Sequence, residues 1–183
     1  MNVQPLNWQF RANQLEMSCP AHYSGELFLR MMRAVQVLDL PLESLYSELV
    51  KDEPTSRFVL KPDPQGLRQL RQVPKLLRDV WVDKPLSVPL RRYEDVRIFV
   101  PAYDNNNLCE LAELLVKWDV FLRRLRVDIE DMGSRNSLVT LVTGRLGVSA
   151  GFDVEQVKGE MLDVLPEDSK VTFLAPHFAS GGR

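Results

Sequence analysis

The sequence of 183 residues contains few cysteines, no long apolar run and no strong excess of charge. Its two cysteines, Cys19 and Cys109, cannot form the disulfide network that holds many small secreted domains together. No apolar stretch approaches the ~18 residues needed to span a bilayer, and residues 1–10 lack the basic-then-apolar order of a signal peptide. A net charge of −2 creates no general attraction to nucleic acid or anionic membrane. These absences predict a cytoplasmic protein with no membrane contact.

Catalytic motifs are also scarce. The sequence contains no P-loop, no G-x-G-x-x-G fingerprint, no H-E-x-x-H pair and no EF-hand loop. Residues 147–151 match the G-x-S-x-G nucleophile elbow of serine hydrolases, with Ser149 as the nucleophile. His177 follows too closely for the strands and helices that separate nucleophile and histidine in those enzymes. We therefore interpret 147–151 as a glycine-rich loop, assign no catalytic residue and predict that the protein is not an enzyme.

A metal site is weakly suggested by one short spacing. Cys19 and His22 have the separation of half a zinc site, and Cys109 and His177 could complete a tetrahedral set of ligands. Buried free cysteine is the more common outcome for cysteines that lie on apolar faces. We therefore predict neither a metal nor another cofactor.

The strongest pattern present is a run of apolar residues at alternating spacings of three and four. Such heptad spacing is typical of one face of an α-helix. Asn107 could cap the N-terminus of this helix, and Gly133 could end it. The pattern predicts one long central helix over about 107–132. The apolar residues that define it are Leu108, Leu111, Leu115, Trp118, Leu122, Leu125, Ile129 and Met132.

Weaker patterns predict the other elements. Alternating apolar residues on either side of 11–14 indicate a β-hairpin, and 25–38 has helical spacing. Leucines at 42, 45 and 49 favour a second, shorter helix after Pro41. Residues 65–80 are interrupted by Pro74, which predicts a kink or two short helices. We also expect strands at 57–60, 96–100 and 171–174 and a helix over 154–165, while 136–146 fits either a helix or a strand.

Together these elements predict an α+β protein that is dominated by helices. A compact core around the long helix would be accompanied by a small antiparallel or mixed sheet. The length fits one domain over 1–183. That domain could be divided into a hairpin with helices (1–50), a proline-rich basic connector (51–106) and a helical core (107–183). We find no internal repeat.

The most unusual charge feature is the segment 61–97. It contains nine basic and five acidic residues, so it is positive in a chain that is slightly negative. Helical spacing places several of its cations on one face, with aromatic residues between them. Such a face could bind an acidic protein or phosphates, or it could simply be solvated. The candidate partner-binding residues are Arg68, Arg71, Lys75, Arg78, Trp81, Arg91 and Arg92.

These observations favour a non-catalytic interaction protein, such as an adaptor, an assembly factor or a regulator of a larger cytosolic complex. The expected partner is an unidentified protein, with an acidic surface if the basic segment binds it. The helix over 108–132 could also join two copies into a homo-oligomer. A nucleic-acid-associated regulator that uses the segment 61–97 is the alternative hypothesis.

Overall fold

The structure is a computed structural model of the whole chain. It describes residues 6–19, 25–49, 56–77, 92–102, 104–133 and 138–174. The predicted binding residues Arg78, Trp81 and Arg91 lie outside these ranges, as do His22 and His177 of the weighed zinc set.

In the described ranges, eight strands form a single antiparallel sheet, and five helices accompany it. The strand order across the sheet is β1-β2-β4-β3-β6-β7-β5-β8. The elements in chain order are β1 (Asn7–Arg11), β2 (Gln14–Cys19), α1 (Gly25–Val37), β3 (Leu42–Leu49), β4 (Ser56–Pro62), α2 (Leu67–Leu70), α3 (Val73–Leu76), β5 (Arg92–Val100), α4 (Asn105–Lys117), β6 (Phe121–Asp131), β7 (Leu138–Val148), α5 (Val154–Val164) and β8 (Lys170–Leu174).

The prediction of a long central helix is wrong. Helix α4 begins at Asn105, two residues before the predicted cap, and ends at Lys117. Asp119 then adopts a left-handed φ of 48°, and from Phe121 the chain continues as strand β6. The leucines of the heptad pattern are buried within this chain, some of them on helix α4 and the others on strand β6. The helix over 108–132 through which a homo-oligomer was predicted to form is therefore absent from the described structure.

The helix-dominated fold class is wrong for the same reason, and the chain is not mainly helical. The predicted second helix after Pro41 is strand β3. Within the ambiguous segment 136–146, residues 138–146 belong to strand β7, and residues 136 and 137 lie outside the described ranges. No helix in the described ranges exceeds 13 residues. The sheet is not a small peripheral one but extends across the described structure.

Several shorter predictions are confirmed. The hairpin is β1 and β2, joined at Ala12 and Asn13. Residues 65–80 contain two four-residue helices, α2 and α3, with Pro74 in the first turn of α3 where its missing N–H costs nothing. Helix α5 and strands β4, β5 and β8 also fall where the sequence patterns predict them.

The sheet consists of two similar halves, although no repeat is evident in the sequence. The chain order of the elements is β2-α1-β3-β4 in the first half and β5-α4-β6-β7 in the second. The corresponding strands also have the same spatial order within each half of the sheet. With α5 and β8, the second half is a complete β-α-β-β-α-β unit of the ferredoxin-like type. In the first half, β1 occupies the position beside β2 that β8 occupies beside β5.

The two halves meet through strands β3 and β6 and through helices α1 and α4. Tyr46 of β3 lies opposite Arg126 of β6 at the centre of the antiparallel pairing. The amide of Gly25 donates to the carbonyl of Val120 at 3.0 Å. A Cβ on Gly25 would lie 3.2 Å from the carbonyl carbon of Leu115 and from the amide nitrogen of Val116, so glycine permits the close approach of α1 to α4.

Helices cover one face of the sheet, and no helix of the described ranges lies on the opposite face. On β5, for example, Val96 and Ile98 point into the apolar core, while Arg97 between them is exposed. We call the uncovered side the open face.

Candidate functional site

The open face carries five arginines in the second half of the sheet. The strand register places Arg126 of β6 beside Thr143 of β7, and Thr143 beside Arg97 of β5. Adjacent strands are about 4.8 Å apart, so these positions form a continuous row across three strands. The open-face arginines are Arg97, Arg123, Arg124, Arg126 and Arg145, and all five are exposed.

Two of these arginines have a nearby carboxylate. Arg126 Nε lies 2.7 Å from Asp128 Oδ2 on the same strand, and this hydrogen bond raises the pKa of Arg126. Arg145 Nε lies 4.0 Å from Asp95 Oδ1, which is a loose ion pair. Within the described ranges, no carboxylate lies at ion-pair distance from Arg97, Arg123 or Arg124. These three guanidinium groups therefore form no direct ion pair in the described ranges, although the strand register places Glu48 of β3 opposite Arg124.

Tyr93 of strand β5 lies between two of the arginines. The guanidinium carbon of Arg145 is 5.5 Å from the centre of its ring, and that of Arg123 is 5.7 Å away. Cation–π contacts of this kind orient the guanidinium groups over the ring. The Tyr93 side chain is still 37% exposed, so an incoming planar group could reach it.

The open face of the first half has a different charge pattern. Glu16 Oε1 pairs with Arg57 Nε at 2.9 Å, and its other oxygen lies 3.4 Å from Arg11 Nε. The hydroxyl of Tyr46 donates to Glu48 Oε2 at 2.5 Å, and the pKa of Tyr46 is raised by burial and by this carboxylate. Carboxylates therefore offset cations in this half, and the excess positive charge is confined to the second half.

The sequence-predicted binding residues are distributed differently. Arg68, Arg71 and Lys75 lie on or beside α2 and α3, and all three are exposed. Their helices contact β2 and α1, so this basic surface is on the helix-covered side of the first half. We call these three residues the α2–α3 cations. No carboxylate in the described part of the chain pairs with them.

Arg92 is separated from the α2–α3 cations. It begins β5 in the second half, where its Nε pairs with the buried carboxylate of Glu94. Its Nη2 also donates to the carbonyl of Phe152 at 3.1 Å. Arg92 therefore ties strand β5 to the chain just before α5, and the structure does not place it on a common surface with the α2–α3 cations.

The other chemical candidates do not gather into a site. Ser149 lies after β7, and the chain turns there before α5 begins. Cys109 is buried, and burial raises the pKa of its thiol to about 11. In the described ranges, no three residues among His, Cys, Asp and Glu come together as metal ligands would. No helix in the same ranges combines the length and apolar character that a membrane crossing requires.

Comparisons with known proteins show a likeness of fold only. No family model and no curated protein matches this chain. An aspartate kinase from Synechocystis aligns over 88% of this chain with a TM-score of 0.58 and 11% identity. This chain spans only 28% of that kinase. A protein of unknown function from Galdieria sulphuraria aligns over 88% of this chain and 96% of its own length, at 9% identity and a TM-score of 0.43.

Proposed function

We propose that this chain is a non-catalytic binding module whose open-face arginines bind an acidic segment of a partner protein. The observation that carries the proposal is the exposed group of Arg97, Arg123 and Arg124, which has no carboxylate partner in the described structure. Positive charge without local compensation favours a negatively charged partner and speeds its encounter. The aspartate kinase likeness supports the fold and adds no activity.

The chemistry of the site supports binding rather than catalysis. Guanidinium groups stay protonated at physiological pH, so the cluster cannot exchange protons as a general acid or base would. They donate several hydrogen bonds in a fixed plane, which suits recognition of carboxylates. The α2–α3 cations supply a second basic surface on the other side of the sheet. A cytoplasmic location is part of the proposal and is supported by the buried free thiol of Cys109.

Charge reversal on the two sides of the sheet tests which surface binds. Arg97→Glu with Arg124→Glu changes the open face, and Arg68→Glu with Arg71→Glu makes the same charge change on α2–α3. The probe is a fluorescent polyglutamate peptide, and binding is measured by anisotropy at low salt. We expect the open-face variant to bind at least about tenfold more weakly, a loss of about 1.4 kcal/mol. The α2–α3 variant should stay near the wild-type affinity.

The matched charge change separates a local site from general electrostatics. Equal weakening by both variants would contradict a binding site on the open face. Weakening by the α2–α3 variant alone would indicate that the peptide binds instead to the residues predicted from the sequence. Circular dichroism spectra that match the wild type would show that each variant is folded.

Single-stranded nucleic acid is the second candidate ligand, favoured by Tyr93. An aromatic ring on the open sheet of a β-α-β-β-α-β unit is a known type of platform for stacking bases. Here Tyr93 is flanked by Arg123 and Arg145, which could contact phosphates. Tyr93→Leu should then weaken binding of an oligouridine probe more strongly than binding of polyglutamate, because only the bases stack on the ring. Phosphate contacts would also give a salt dependence of roughly −0.7 per contact in log–log form.

A further inference from the structure

Strand β1 is an uncovered edge of the sheet with an apolar side. Among the described strands it pairs with β2 alone, and each of its five residues is exposed. Trp8 and Phe10 are 44% and 46% exposed, although their partners across the hairpin, Met17 and Leu15, are completely buried. Two half-exposed aromatic side chains therefore extend the core face of the sheet to its outer margin.

The free backbone groups of β1 are arranged to accept another strand. Arg11 and Gln14 close a two-residue hairpin, and such a closing pair exchanges backbone hydrogen bonds. Because hydrogen-bonded and non-hydrogen-bonded pairs alternate along an antiparallel ladder, Gln9 and Asn7 also bond towards β2. The amide and carbonyl groups of Trp8 and Phe10 consequently point outwards, where no described strand pairs with them.

Features that commonly protect exposed edges are scarce on β1. Natural sheets discourage edge pairing with lysine, proline, bulges or a covering helix. The register of β1 with β2 has no bulge, and the strand sequence Asn-Trp-Gln-Phe-Arg contains neither lysine nor proline. At the opposite edge, β8 begins with Lys170 and contacts helix α5.

The sequence of β1 is complementary to itself in one antiparallel register. If two copies meet with Gln9 opposite Gln9, each Trp8 lies opposite a Phe10 and each Asn7 opposite an Arg11. The outward backbone groups of Trp8 and Phe10 then face each other and form hydrogen-bonded pairs. The two aromatic cross-strand pairs lie on the core side, and no like charges are opposed.

We propose that β1 pairs with β1 of a second copy of this chain about a two-fold axis through Gln9. The same kind of contact already exists within the chain, where β3 and β6 join the two halves in antiparallel register. The pairing continues the sheet from one copy to the next, so the open faces of both copies lie on the same side. The dimer presents the open-face arginines twice, although the β1 contact itself does not depend on what those arginines bind.

The mass of the intact protein in solution tests the proposal directly. Sedimentation from low micromolar to submillimolar concentration should show the 21.0 kDa chain in equilibrium with a species of twice that mass. Replacing Trp8 and Phe10 together with serine should raise the dissociation constant by about tenfold or more. The matched control is Leu138→Ser with Leu162→Ser, because these leucines are 42% and 38% exposed elsewhere on the surface.

Cysteine cross-linking tests the register. Gln9→Cys places two thiols on the two-fold axis, at the Cα separation of about 4.5 Å expected for a non-hydrogen-bonded pair, which a disulfide can span. Mild oxidation should convert this variant to a covalent dimer. Asn7→Cys lies on the same strand but opposite Arg11 of the other copy, so it should cross-link far less. The wild-type protein under the same oxidant gives the contribution of Cys19 and Cys109.

Three results would overturn the proposal. The first is a monomer at every concentration, which would leave the edge free for an extended segment of another protein. The second is a dimer that the Trp8 and Phe10 variant does not weaken. The third is equal cross-linking at positions 7 and 9, because that would indicate random collision rather than the proposed register.

Discussion

Asp39 and Asp119 have the same unusual backbone conformation at the ends of α1 and α4. Their φ angles are 47° and 48°, and the amide of the next residue donates in each case to the last turn of the helix. Left-handed conformations cost L-residues energy, and aspartate tolerates them better than most residues. These two positions reverse the chain from helix to strand, so they determine where each helix ends.

Substitution of Asp119 should show how much this conformation costs. Asp119→Ala is expected to lower the free energy of unfolding by about 1 kcal/mol, because alanine is disfavoured in the left-handed region. Asp119→Gly should leave the free energy within about 0.5 kcal/mol of the wild type. Urea denaturation of the three proteins gives the comparison. A larger loss in the glycine variant would mean that the aspartate side chain matters more than the backbone angle.

Cys109 should make the stability of the protein fall at alkaline pH. Burial raises the pKa of its thiol from 9.0 to about 11, and its Sγ lies 3.5 Å from Gln36 Oε1. A raised pKa means that the folded state holds the proton more tightly than the unfolded chain. Between pH 9 and 11 the thiol is therefore mostly ionised in the unfolded chain but still mostly protonated in the folded protein. This difference lowers the free energy of unfolding by about 2 kcal/mol at pH 11.

The measurement compares the wild type with Cys109→Ala across this pH range. Other groups also titrate there, so the informative quantity is the difference in unfolding free energy between the two proteins. We expect that difference to be constant below pH 9. Above pH 9 we expect the wild type to lose stability relative to Cys109→Ala. A difference that stays constant up to pH 11 would contradict the role of the buried thiol.

At the scale of elements, strand β6 shows why the long-helix prediction failed. Charged and apolar residues alternate without exception over 124–130, which is the period-two pattern of a half-buried strand. The heptad pattern uses Leu125 and Ile129 but passes over Val127, which is fully buried between them. The alternation was therefore available in the sequence and was the better predictor for this segment.

A bulge explains the helical spacing at the start of β6 and of β3. The strand register shifts between Leu122 and Arg124, and at the corresponding place between Leu42 and Ser44. A bulge adds one residue, so apolar side chains three apart in sequence can point to the same face of a sheet. Leu42 and Leu45 are both buried in this way. Single-sequence periodicity cannot distinguish such a strand from a short helix.

The N-terminus of α5 offers a test of local stability. Asp153 Oδ1 accepts hydrogen bonds from the amides of Glu155 at 2.9 Å and Gln156 at 3.1 Å. Asp153→Ala leaves both amides without this partner and should lower the free energy of unfolding by about 1 kcal/mol. Asp153→Asn keeps an accepting oxygen and should cost less. Thermal or urea denaturation measures both, and an equal loss in the two variants would argue against capping by this oxygen.

At the scale of the whole molecule, the repeat was hidden because many corresponding positions share burial but not identity, although a few, such as Asp39 and Asp119, are the same residue. In the paired registers, Leu60 of β4 corresponds to Gly144 of β7, and Leu15 of β2 to Val96 of β5. The open face is even less similar, since Tyr46 and Arg126 occupy equivalent places on β3 and β6. Only the strand pairing shows the correspondence, and pairing is a long-range property that local patterns do not contain.

The same limit applies to the candidate site. The sequence shows that 61–97 is basic, but its described cations are divided mainly between α2–α3 on one side of the sheet and β5 in the other half. The open-face arginines come from β5, β6 and β7, and of these five only Arg97 lies within 61–97. Arg123, Arg124 and Arg126 form a basic group in the sequence, but in the incorrectly predicted long helix they lie beside its apolar face.

The shared sheet predicts that the two halves unfold together. Leu45 is completely buried on β3, next to Leu60 of its own half and Val127 of the other. Leu45→Ala should remove about 2 to 5 kcal/mol of stability because it leaves a cavity at this junction. Native-state hydrogen exchange should then show reduced protection of the most stable amides in both β4 and β7. Leu146→Ala, a buried leucine of the second half, should lower protection in both strands as well. If each variant affects only its own half, the halves are independent folding units and the β3–β6 contact contributes little to cooperativity.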